Sequence, residues 1–179
     1  MRGNNTQAGF TMFFGVLIAG LALAIGAVIY DLVVRELALS QIAAQSQYAA
    51  YAADTAAECA LYWDAKYNVS GKSFFPSPWA ASWTAPSGAA YTCNSQNIGT
   101  QLAVAANVIQ TATDATSTFQ LYMDSGGDIK KPCATVSVHK YYDTVSGTNI
   151  RRTVISADGF NTCMTAAPNR LQRSLFMMY

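Results

Sequence analysis

Chemistry at a protein site needs a nucleophile with its base, or a cluster of metal-ligating groups, and this chain is poor in both. It has one histidine, His139. Nucleophilic catalysis needs a base beside the nucleophile, and His139 is the single imidazole on offer. It falls on the polar side of an alternating stretch, where a surface histidine is the ordinary reading. Asp54 and Glu58 stand four residues apart with no base close in sequence, which suits a solvated helix face. Asp124 and Asp128, with Gly126 and Gly127 between them, offer oxygen ligands of the kind calcium takes. The segment lacks EF-hand spacing, and a hairpin turn is the simpler use of such residues. No glycine-rich phosphate loop and no metal-binding histidine pair is present. Asn68-Val69-Ser70 is a formal glycosylation sequon. The expectation is a protein that is not an enzyme and holds no cofactor.

The cysteines, Cys59, Cys93, Cys133 and Cys163, form no close C-x-x-C pair, so zinc fits poorly. An even number in a chain with an exported domain reads as two disulfides, whereas a reducing compartment would leave buried thiols. Three pairings are open. Cys59–Cys93 with Cys133–Cys163 is preferred, because each joins cysteines that are next along the chain.

Charge excludes a further class. The net charge is +1, and only 12% of residues are charged. Nucleic-acid binding wants clustered Lys and Arg. Lys130-Lys131, Arg151-Arg152 and the pair Arg170 and Arg173 are short groups that suit surface or strand-edge positions. No nucleic-acid partner is expected.

The elements that must carry these residues begin with an anchor. From Phe10 to Tyr30 no residue is charged, and about 20 apolar residues suffice for a helix to cross a bilayer. Gly15, Gly20 and Gly26 lie within this run. In lipid, small residues let helices approach closely. Asp31, Arg35 and Glu36 follow directly and mark the outer membrane boundary, with Asp31 and Arg35 spaced to pair along the helix. The segment from Asp31 to Trp63 has no proline or glycine and continues the helix. A Sec-type signal has its small-residue cleavage site after the apolar stretch. Here the small residue, Gly9, comes before it, so the stretch reads as the first half of a helix that the mature chain keeps.

Gly9-Phe10-Thr11-Met12 before a charge-free helix resembles the class III signal of type IV pilins and pseudopilins. The resemblance spans most of the chain and is tight over residues 9–64. It implies cutting by a prepilin peptidase between Gly9 and Phe10, then methylation of Phe10. It implies a single-pass protein of the inner, cytoplasmic membrane with an extracytoplasmic C-terminal domain, placed on the cell surface in a pilus after assembly. Its partners would be other pilin subunits, the prepilin peptidase, the inner-membrane assembly platform and membrane lipid. Most members carry a glutamate at the fifth mature position, where it pairs with a neighbour's terminal amine. Here that position is Phe14, which favours a minor, initiating or tip subunit. The alternative is a membrane-anchored adhesion or binding module that does not polymerise.

The expected organisation is a leader at 1–9, a transmembrane and assembly segment at 10–30, an amphipathic half-helix at 31–64, a connecting αβ region at 65–117 and an antiparallel sheet at 118–179. Tyr48, Tyr51, Thr55, Cys59 and Tyr62 share one helix face and are expected to pack on that sheet. Phe74, Phe75, Trp79 and Trp83 have two readings: an exposed adhesive loop, or cover over the domain core, the commoner use. The stretch 97–115 suits a short helix or a strand. Strands are predicted at 118–123, 133–142, 151–157 and 170–179, with turns at 124–128, Ser146-Gly147 and Asp158-Gly159. In the second strand Ala134, Val136 and Val138 face one side, and Thr135, Ser137 and His139 the other. The predicted fold class is α+β: a long N-terminal helix packed on an antiparallel sheet, as in pilins.

Overall fold

The structure, a computed structural model, describes residues 6–67, 73–80, 82–88, 90–145 and 148–179. The fold is α+β, with a long apolar N-terminal helix and an antiparallel sheet. Helix α1 (Thr6–Lys66) is unbroken. Alanine and other good helix formers fill it, and no proline interrupts it. The chain divides into two units, residues 1–43 and 44–179. In the first unit every described side chain from Phe10 to Ala43 is exposed.

The second unit is built on five strands: β3 (Val108–Gln110), β4 (Asp114–Tyr122), β5 (Cys133–Val145), β6 (Thr148–Phe160) and β7 (Gln172–Met178). Each pairs with the next in an antiparallel meander. Ahead of them, β1 (Thr92–Cys93) and β2 (Gln96–Asn97) form a hairpin. Its two turn residues, Asn94 and Ser95, both have positive φ, the twist that a two-residue hairpin turn requires. A short helix α2 (Ile98–Leu102) and a 3₁₀ turn (Ala105–Asn107) lead into β3. The stretch 97–115 thus contains both a helix and strand, and the sheet starts at Val108, ahead of the expected boundary at 118.

Alternation decides which face is buried. Ala134, Val136, Val138 and Lys140 of β5 point inward, and the register sets them beside Ala115, Ser117, Phe119 and Leu121 of β4 and Thr153, Ile155, Ala157 and Gly159 of β6. The helix meets this face through small residues: Ala49, Ala52, Ala53, Ala56, Ala57 and Ala60 are buried. Gly159 shows how close the approach is. A Cβ on it would lie 2.0 Å from the Ala49 carbonyl oxygen and 2.5 Å from the Ala53 nitrogen.

Two expectations are corrected here. The tyrosine stripe does not pack on the sheet: Tyr48, Tyr51 and Tyr62 are 59%, 69% and 49% exposed. The alanine face packs instead, because large rings would hold the helix away from the sheet backbone. Asp158-Gly159 is not a turn but lies inside β6, where glycine is required by the helix crossing above it. The sequon at 68–70 and the turn at Ser146-Gly147 lie outside the described residues.

Disulfides join Cys59 of α1 to Cys93 of β1, and Cys133 of β5 to Cys163 after β6. This is the sequential pairing. Each bridge typically adds about 2–4 kcal/mol by restricting the unfolded chain.

Candidate functional site

The first candidate is the apolar surface of residues 10–43. Its side chains are large and bare: Phe10 is 68% exposed and Leu23 76%. Apolar area left in water costs roughly 25 cal/mol per Å² relative to burial, so this surface requires an apolar environment. A Cβ on Gly15, Gly20 or Gly26 would meet nothing within 4 Å, so these glycines leave open shallow places on the helix surface. Phe10 and Phe14, one helical turn apart, bring their ring centroids to 5.7 Å. The Gly9–Phe10 junction lies within α1. Arg35 donates to Asp31 at 2.9 Å, an exposed pair one turn apart. Glu36 is exposed on the same stretch.

The aromatic loop is not an exposed patch. Phe74 and Phe75 are fully buried. Trp63 stacks on Phe74 with centroids 5.3 Å apart, and Phe75 lies over Phe119 at 6.0 Å. Trp83 is half-buried, and its indole N–H is shared between the carbonyls of Ser73 and Phe74 at 3.2 and 3.3 Å. Trp79 is half-buried beside Tyr142, with the Arg151 guanidinium 5.3 Å from its centroid. The loop covers the core because the buried helix residues from Ala49 to Ala60 are all alanines, which leaves volume for Phe74 and Phe75 to fill beside Trp63.

The carboxylates at 124–128 act on the backbone. Asp124 accepts from the N–H of Gly126 at 3.0 Å, and Asp128 from that of Lys130 at 2.9 Å. These bonds make a turn, and among the described residues no three metal-ligating side chains gather. His139 meets Asp114 at 3.0 Å on the outward face and stacks on Tyr141 at 4.9 Å. The Asp114 carboxyl is held below the usual range, mainly by the Thr113 hydroxyl and then by His139. Lys130, Lys131, Arg151 and Arg173 are exposed, while Arg152 and Arg170 are half-buried. The Arg170 guanidinium lies 3.8 Å over the Phe160 ring. Asp54 and Glu58 are exposed on the helix.

One polar cluster was missed by sequence reasoning. Lys140 is 3% exposed at the end of the inward row of β5 and bonds to the Asp64 carboxylate of α1. Its ammonium also donates to the Ser73 hydroxyl at 2.7 Å. The Tyr179 hydroxyl donates to the other Asp64 oxygen at 2.7 Å. Register explains the meeting. Lys140 pairs with Thr153, and Thr153 exchanges backbone hydrogen bonds with Tyr179, so Lys140 and Tyr179 flank one position on the inner face. Burial pushes the Lys140 ammonium below the usual lysine range despite Asp64, and pushes the Tyr179 hydroxyl well above the tyrosine range. The signal was parity: a lysine two residues past Val138 must also point inward. Its partner, 76 residues away, left no local trace.

No family model, curated protein or solved structure matches this chain. Its class therefore rests on its own geometry: a disulfide-bonded α+β domain carried by a helix long and apolar enough to cross a membrane. Disulfides accord with a domain outside the cytoplasm.

Proposed function

We propose that this chain is a minor pilin or pseudopilin, a structural subunit that starts, caps or decorates a type IV filament. The observation that carries the reading is the unbroken α1, with its large apolar residues bare from Phe10 onward and its alanines buried in the domain. The leader is clipped between Gly9 and Phe10, and Phe10 is methylated. The helix waits in the cytoplasmic membrane with the domain outside. During assembly, packing against other subunits replaces contact with lipid. The glycines at 15, 20 and 26 allow close helix approach. Phe14 cannot form an ion pair with a neighbour's amine, so the subunit does not dock in the manner of an acid-bearing shaft subunit.

N-terminal mass spectrometry on protein from its native membrane tests this reading. A mature chain beginning at methylated Phe10 is expected, and a chain that retains Met1 would overturn it. Phe14 also favours a second reading, an anchored binding module that never polymerises. Shearing surface filaments separates the two. A subunit appears in the sheared material, whereas a module stays wholly with the membrane.

A further inference from the structure

We propose that Lys140 and Asp64 join in an intramolecular amide, a covalent link between β5 and α1 formed from the buried pair itself. Both side chains are nearly sealed, at 4% and 7% exposed, and Nζ of Lys140 lies against Oδ1 of Asp64. A buried ion pair is costly to desolvate. Condensation removes both charges and leaves a neutral amide in their place. Fixing the reacting groups in contact also removes the entropic cost of bringing them together.

The surrounding groups fit the steps. One ammonium proton passes to Oδ1 within the pair, leaving an amine against a carboxylic acid. Burial favours that neutral amine. The Nζ lone pair attacks Cγ, and negative charge collects on Oδ2. The Tyr179 hydroxyl, 2.7 Å from Oδ2, donates to it there. A second proton passes from nitrogen to Oδ1, which Nζ already contacts, while the Ser73 hydroxyl, 2.7 Å from Nζ, holds the nitrogen in place. The Cγ–Oδ1 bond breaks and Oδ1 departs as water. Two of the three ammonium protons leave in that water, and the third stays on the amide nitrogen. Nothing is oxidised or reduced, and no co-reactant is needed. A cleft of about 370 Å³ beside Trp79 and Thr153 gives the water a way out. Tyr179 and Ser73 touch the reacting atoms directly, and Lys140 and Asp64 are the reacting pair.

The link is independent of the filament reading and is tested on the folded full-length chain. The protein is denatured, reduced, alkylated and digested with trypsin, and the peptides are weighed. The expected product is residues 36–66 joined to residues 131–151, lighter than the two peptides by one water and uncut after Lys140. Separate peptides, with normal cleavage after Lys140, would overturn the proposal. Lys140→Arg keeps a cation beside Asp64 but removes the reacting amine. The branched peptide is expected to vanish in this variant, and its persistence would also overturn the assignment. The wild-type measurement decides the matter even where the variant folds poorly.

Discussion

Helix α1 uses small and large residues in opposite ways along its length. Between residues 10 and 43 the large apolar side chains are bare, and the glycines face open space. From Ala49 to Ala60 the buried residues are alanines, and the tyrosines are outside. The contrast follows from what each part must touch. A sheet backbone pressed against a helix tolerates nothing larger than alanine, as the Gly159 contact shows. A helix surface meant for lipid or for other helices carries its bulk outward. Burial in the domain is therefore set by closeness of approach rather than by hydrophobicity alone.

The largest expected effect sharpens this comparison at two glycines. Gly159→Ala forces the strand away from Ala49 and is expected to cost more than about 4 kcal/mol in denaturant unfolding. Gly20→Ala meets nothing and leaves the domain's unfolding midpoint in place. Equal effects from the two variants would break the contrast.

Removing one member of the buried pair comes next. Asp64→Ala or Lys140→Ala is expected to cost about 3–5 kcal/mol, because the remaining group is buried as a charge with neither an ionic partner nor the amide link. Asp64→Leu combined with Lys140→Met removes the uncompensated buried charge and restores part of that loss. In the apolar stretch, Ile18→Arg adds about 2.5–3.5 kcal/mol to membrane insertion. Fractionation should show less protein in the membrane, with domain melting unchanged. A shift in melting would show that residues 10–43 support the domain.

The smallest effect is on pH dependence. The folded Tyr179 hydroxyl titrates above the unfolded value of 10.0. Above that pH the unfolded chain has released a proton that the folded chain keeps. The stability this group contributes is full below pH 10.0 and declines as pH rises beyond it. Unfolding midpoints measured on either side of that value should fall in the wild type and fall less in Tyr179→Phe.

Much of the architecture was legible from local pattern. The helix follows from a long stretch with no breaker, and β5 from strict alternation. The errors share one cause. The tyrosine stripe has a sound helical period, but period alone does not say which face meets the sheet. Asp158-Gly159 has turn chemistry, yet its glycine answers to Ala49 and Ala53, more than a hundred residues earlier. For the candidate site, the apolar helix was visible as composition, and the Lys140 cluster was hidden because Asp64 and Tyr179 come from distant elements.

By itself the sequence determined the long helix, its charge-free stretch, the alternating strands and a set of cysteines fit for two bridges. These depend on backbone period and side-chain polarity, which act over a few residues. Only the tertiary structure decided that alanines rather than tyrosines face the sheet, that Phe74 and Phe75 fill the core, and that Lys140, Asp64 and Tyr179 meet. Those outcomes depend on distances between elements far apart in the chain, where close packing and the cost of burying charge select the partners.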